Sequence, residues 1–214
     1  MLFRSFQQVD LDVGTAVDVI VARTGVERVV LWGLCDAASA ALMYAHTDAR
    51  VAGLVLLNPW VHAVATEAKV RLKTYYLGRL RKREFWRKLV TLDLDWRDST
   101  RSLWQYVRGA LARSDPGGGL ASLHFIERMR RGWSAFPGST LVILSGDDLT
   151  AGEFQHLCVS DPAWRAQSQA RNVRVVTVAG ANHTFARAEW RAAVEQMTCA
   201  WVTGLSQGAE PQGR

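Results

Sequence analysis

One cysteine, a pair of aspartates and one histidine fall where an enzyme would display reactive groups. Cys35 stands in Gly33-Leu34-Cys35-Asp36-Ala37, Asp147 and Asp148 follow Gly146, and His183 closes Gly180-Ala181-Asn182-His183. A thiol attacks an acyl carbon once a base takes its proton, and that base needs an acid to orient it. Gly-x-nucleophile-x-small is the pattern of a nucleophile elbow, a strand-to-helix turn so sharp that the positions two before and two after must be small. Gly33 meets that demand, and Ala37 stands where a second glycine is usual. The turn also sets Cys35 beside a helix N-terminus, where the helix dipole is expected to lower the thiol pKa. His183 is the expected base. The Gly-x-Asp spacing favours Asp148 as the orienting acid, with Asp147 open as the alternative, and the backbone N–H of Asp36 is the expected oxyanion donor. Blander readings exist for each: Cys35 as a small buried residue, the aspartates as turn or cap residues, His183 as a loop or cap residue.

These residues need elements to hold them. Val29 to Trp32, Val51 to Leu57, Thr140 to Ser145 and Val173 to Val178 are apolar or β-branched runs that read as buried strands. Helical periodicity occupies 10–24, where Val13, Val17, Ile20 and Val21 share a face, and about 187–204, where Trp190, Val194, Met197 and Trp201 do. Helices are also expected after the elbow to about His46, near 151–159 and over 162–170. Strands alternating with helices argue a mainly parallel sheet. Three of the four strands then end at Cys35, at Asp147-Asp148 and at Asn182-His183, and in open α/β sheets reactive groups sit on loops at the carboxyl ends of strands. The order nucleophile, acid, histidine is that of α/β-hydrolases.

The alternation breaks between about 60 and 136, which reads as helices over 67–80, 84–92, 99–113 and 120–131, with Ser114-Asp115-Pro116-Gly117-Gly118-Gly119 as a flexible break. The expected division is a core of 1–59 and 137–205, a helical cap of 60–136, and a disordered polar tail of 206–214. Within the cap, Lys69 to Lys88 holds nine Lys/Arg against one acid, Glu84, interleaved with Tyr75, Tyr76, Phe85 and Trp86. Such a face would suit an anionic substrate or an acidic membrane surface, although a solvated basic face is the plainer reading. Nucleic acid has only this segment in its favour. Trp60 and His62 are candidates to line the cleft.

Gly-Leu-Cys-Asp-Ala-Ala-Ser-Ala at 33–40, Leu-Ser-Gly-Asp-Asp-Leu-Thr-Ala at 144–151 and Ala-Asn-His-Thr-Phe at 181–185 resemble the α/β-hydrolase superfamily. More closely they resemble the hydrolase 1 associated with the exosortase A system of Gram-negative bacteria, a family encoded with exopolysaccharide and protein-sorting genes. The resemblance covers roughly residues 5–205. It implies Cys35 as nucleophile, Asp148 as acid and His183 as base, an arrangement with cysteine in place of the usual serine that dienelactone hydrolases share. It also implies strands and an oxyanion loop ahead of the first helix, so the N-terminal strands are expected to be missing from this chain, and with them the second oxyanion donor.

Length and composition fit one domain with an insertion: 214 residues, 49% hydrophobic, are ample for one core. Three widely spaced cysteines suggest neither a disulfide framework nor a zinc site, so a reducing, cytoplasmic setting is the default. The expectation is therefore an α/β-hydrolase-like enzyme acting on an ester or thioester, or transferring an acyl group, through an acyl-cysteine. No cofactor or metal is implied, and the partner is a small-molecule or acylated substrate. The alternative is a non-catalytic scaffold or binding protein that keeps the hydrolase frame.

Overall fold

The structure is a computed structural model that describes residues 6–61 and 116–208, with side chains from 9–61 and 125–205. The chain divides by its contacts into residues 1–61 with 126–214, and residues 62–125. The second unit falls almost wholly outside the described residues, as do the expected cap helices at 67–80, 84–92 and 99–113, the basic segment from Lys69 to Lys88, and His62.

Helix α1 (Phe6–Thr24) leads into strand β1 (Val29–Leu34), helix α2 (Asp36–Tyr44), a single 3-10 turn (Ala45–Thr47) and strand β2 (Val51–Leu57). After helix α3 (Pro116–Ala135) come strand β3 (Ser139–Ser145), helices α4 (Leu149–Ser160) and α5 (Pro162–Ser168), strand β4 (Val173–Val178) and helix α6 (Ala188–Gly208). The four strands form one sheet in the order β1-β2-β3-β4, every pair parallel. All four carboxyl ends therefore meet along one edge. Among the described residues β1 is the outer strand at its end of the sheet.

Two departures from the periodicity have simple causes. Helix α1 begins at Phe6 rather than near Asp10. Pro116 to Gly119, expected as a break, form the first turn of α3; proline's fixed φ and missing N–H suit an opening helical position, where the donor has no partner in any case.

Because side chains alternate across a strand, the central strands bury both faces. Val55, Leu57, Leu141 and Ile143 pack with Ala181, Phe185 and Val194, and Trp190, Met197 and Trp201 of α6 close over them. Leu54, Leu56, Val142 and Leu144, equally buried, project to the opposite face. There Trp133, Phe154 and Trp164 form a buried aromatic cluster with centroids 5.8–6.0 Å apart. The Trp133 indole N–H donates to Thr140 Oγ1, so its polar edge is not stranded. Among the described residues no helix is long and apolar enough to cross a membrane.

The amino end of the sheet is tied by charge. Asp48 accepts from the Tyr44 hydroxyl at 2.6 Å, from the Arg50 backbone N–H at 3.0 Å and from the Arg50 guanidinium at 2.7 and 2.9 Å. Arg50 also reaches Asp18 on α1. Those donors hold the Asp48 carboxyl far below the ordinary carboxylate range, with Arg50 the largest cause, while burial and Asp48 push the Tyr44 phenol up to about 12. An acid held below its unfolded value contributes stability that is complete above about pH 4 and is lost as pH falls toward the lowered value. Asp48→Asn should therefore reduce stability at pH 7 by about 2 kcal/mol and flatten the loss of stability below pH 4. Urea midpoints at pH 7 and pH 3 measure both; an unchanged difference between the two pH values would remove Asp48 as the source.

Candidate functional site

The carboxyl edge is laced together by backbone hydrogen bonds that run past the strand ends. Cys35 N–H donates to Leu57 O, Asn58 N–H to Ile143 O, Gly146 N–H to Val178 O, and Asp147 N–H to Ala181 O. The first three fix the first residues of one loop against the next strand, and the fourth ties the loop after β3 to the loop after β4. Three non-glycine residues take positive φ in this edge: Cys35 at 60°, Asn58 at 43° and Phe185 at 52°. Backbone held in that region is strained and persists only where the surroundings over-determine it.

Cys35 forms the turn between β1 and α2, with φ 60° and ψ −118°. Its carbonyl accepts from Ser39 N–H, Ser39 Oγ and Trp60 N–H, so the turn is gripped from α2 and from the segment after β2. Trp60, expected as a cleft residue, is half-buried, and its carbonyl accepts from Ser39 Oγ at 2.7 Å. Gly33 lies against the first turn of α2 so closely that a Cβ there would meet the Ala37 and Ala38 backbone at 2.7 Å.

Asp148 and His183 meet. The His183 Nδ1 lies 3.0 Å from Asp148 Oδ2, with the imidazole partly exposed and the carboxylate nearly covered. Asp148 Oδ2 also accepts from Ala151 N–H at 2.9 Å and so caps α4. Asp147 uses its backbone N–H on Ala181 O, and among the described residues it is Asp148 that touches the histidine. With Nδ1 occupied, Nε2 is the nitrogen left for proton transfer. One oxygen of Asp148 thus both caps α4 and meets the histidine.

The expected Cys35–Asp148–His183 triad is corrected. Among the described residues no hydrogen bond joins the Cys35 thiol to His183; the pair that forms is His183 with Asp148. Nor is the thiol activated as the helix-dipole argument required. Burial pushes the Cys35 pKa up, and the carboxylates of Asp36 and Asp148 push it further, outweighing the Asp36 backbone N–H that favours the thiolate. A dipole of about half a charge cannot make up for desolvation and two nearby anions. Hydrolysis through an acyl-cysteine is therefore not the chemistry this geometry sets up.

Labelling order follows from the same burial. Cys199 is exposed, and Cys35 and Cys158 are partly covered, the Cys158 thiol being pushed up to about 12. Limiting iodoacetamide at pH 8 should modify Cys199 first, then Cys35, then Cys158, as read by peptide mass spectrometry. First labelling at Cys35 would reveal an activating contact that the structure lacks.

Asn58, Ser145 and Asn182 are the residues that pattern reading missed here. Asn58 is fully buried, its Nδ2 donating to Ser145 Oγ and His183 O, both at 2.8 Å, while its Oδ1 accepts from Ser145 N–H. Ser145 Oγ donates onward to Asn182 O. The one signal was an asparagine directly after a strand and before a proline, a residue type that tolerates the left-handed region.

No family model matches the chain, and no curated protein matches it. Solved structures do. The monoacylglycerol lipase of Paleococcus ferrophilus aligns over 92% of this chain and 76% of its own, with TM-score 0.52 and 15% identity. An esterase of Pyrococcus furiosus aligns over 92% and 61%, with TM-score 0.53 and 11% identity. The esterase domain of a Rhodothermus marinus protein aligns over 87% and 65%, with TM-score 0.50 and 14% identity. This chain thus spans about two thirds of the length of these proteins. At such identities the likeness carries the fold, which is that of an α/β-hydrolase with helical insertions.

Proposed function

We propose that this protein hydrolyses a carboxylic ester of a small acylated molecule at a site built around Asp148 and His183, with His183 as the general base. The observation that supports this most is the 3.0 Å contact of His183 Nδ1 with Asp148 Oδ2 at the carboxyl edge of a parallel sheet. Asp148 favours the tautomer with the proton on Nδ1, which leaves the Nε2 lone pair able to take a proton from the group that attacks the acyl carbon and return it to the leaving alcohol. Developing charge on the carbonyl oxygen would be met by the Asp36 backbone N–H at the start of α2, where the positive end of the helix dipole adds to it. The names of the similar solved structures, a lipase and two esterases, agree with this class of chemistry. The nearer resemblance to the exosortase-associated hydrolase rests on the motifs at 33–40, 144–151 and 181–185 alone.

The test is hydrolysis of p-nitrophenyl acetate by the parent chain and three variants, His183→Ala, Cys35→Ala and the double variant. His183→Ala should lose about 10²–10⁴ in kcat/KM, the usual worth of a positioned base. Cys35→Ala should keep the parent rate, with water as the attacking group; a loss as large as that of His183→Ala would overturn that part of the reading. A parent rate no faster than that of His183→Ala would overturn the reading in favour of a non-catalytic binding protein on a hydrolase frame.

A further inference from the structure

We propose that Asn58 is a positioning residue: its buried carboxamide clamps the His183 loop to the end of β3 and thereby sets the approach of His183 to Asp148. The kinetic part of this proposal rests on the esterase reading; the spectroscopic part does not.

The carboxamide is used completely in the directions that matter. Ser145 N–H can only donate, so the atom facing it at 2.8 Å must be the amide oxygen. His183 O can only accept, so the atom facing it at 2.8 Å must be the amide nitrogen. The second amide proton goes to Ser145 Oγ, and the Ser145 hydroxyl proton goes on to Asn182 O. Two consecutive carbonyls of the histidine loop, 182 and 183, are therefore held by one asparagine–serine relay. Both ends of the relay are anchored: Asn58 N–H donates to Ile143 O, and Ser145 is the last residue of β3, three before Asp148. The acid and the base thus take their positions from the same two residues.

No other side chain fills this role. Aspartate offers no proton to His183 O or Ser145 Oγ and would set a buried anion against a carbonyl. Alanine would take the partner from the buried Ser145 N–H and from the His183 carbonyl, at the cost of unpaired polar groups. Glutamine adds a methylene where Asn58 has no exposed surface. The positive φ of Asn58 fits the same account, since asparagine is among the few non-glycine residues that enter that region at modest cost.

The experiment compares the parent with Asn58→Asp and Ser145→Ala, the second being a smaller cut that leaves the Asn58–His183 bond in place. Proton NMR at low temperature follows the His183 Nδ1 proton shared with Asp148, assigned by its loss in Asp148→Asn; circular dichroism checks that each variant is folded. In folded Asn58→Asp that resonance should broaden beyond detection, and in Ser145→Ala it should shift and exchange faster. Kcat should fall about tenfold or more in Asn58→Asp with KM changed less than about threefold, as expected when a reacting group is misplaced while substrate binding is kept. If Asn58→Asp does not fold, Ser145→Ala carries the test alone. A parent-like Nδ1 resonance in the folded variants overturns the proposal. An intact NMR response in a protein without esterase activity would instead overturn the functional reading and leave the clamp standing.

Discussion

Asp148→Asn is expected to slow ester hydrolysis by about 10³-fold or more while leaving the protein folded. In the proposed reaction the carboxylate would do two things for His183: accept the Nδ1 proton across the 3.0 Å contact, and stabilise by its charge the imidazolium formed when Nε2 takes a proton. Asparagine loses the charge outright. Its amide group can also turn toward Nδ1, donate to it and force the other tautomer, which puts a proton on Nε2 where a lone pair is needed. The same oxygen caps α4 through Ala151 N–H, so Asp148→Ala removes two functions at once. Asparagine is as good an N-cap as aspartate, and alanine costs about 1 kcal/mol there. Asp148→Ala should therefore match Asp148→Asn in rate but unfold at lower urea concentration. Kcat and urea midpoints on the same preparations separate the two. An Asp148→Asn variant within tenfold of the parent rate would mean that His183 works without its acid.

The frame was legible because it is written in uninterrupted apolar runs. Val51 to Leu57 and Ser139 to Ser145 are buried on both faces, and such segments betray themselves without any knowledge of their neighbours. The position of His183 after β4 and of Asp148 after β3 was legible for the same reason, since a strand end is a local feature. The state of Cys35 was not. Its thiol is governed first by burial, which leaves no mark in Gly-Leu-Cys-Asp-Ala; the adjacent Asp36 is visible there, but the carboxylate of Asp148, 113 positions away, is not. Asn58 was hidden in the opposite way: as a strand-ending Asn-Pro it already had a sufficient local explanation, and its partners at 145 and 183 come together only when β2, β3 and the last loop are assembled. Cys199 shows the limit of periodicity, being two residues from the half-covered Trp201 yet itself exposed.

Gly33→Ala should unfold the site from within. Gly33 is buried near the end of β1, opposite Leu56 in the register with β2, and the missing side chain faces the first turn of α2. A methyl group there would lie 2.7 Å from Ala37 C and Ala38 N and 2.9 Å from Ala37 O. These are backbone atoms on both sides, so no rotamer change relieves the overlap; α2 must withdraw from β1. That withdrawal pulls on the turn at Cys35, whose N–H is bonded to Leu57 O and whose carbonyl is bonded to Trp60 N–H. The expected cost is about 3 kcal/mol or more, at the upper end of what overpacking gives, because the strain falls on main chain rather than on side chains. Esterase activity should fall with it, since the Asp36 N–H moves with the start of α2. Gly204→Ala is the matched control: it sits within α6, a Cβ there meets nothing within 4 Å, and the change should stabilise by up to about 1 kcal/mol through helix propensity alone. Urea midpoints moving in opposite directions for the two glycines would tie the loss at Gly33 to close packing of the elbow, whereas a parent-like midpoint for Gly33→Ala would show that α2 does not rest on β1 at this distance.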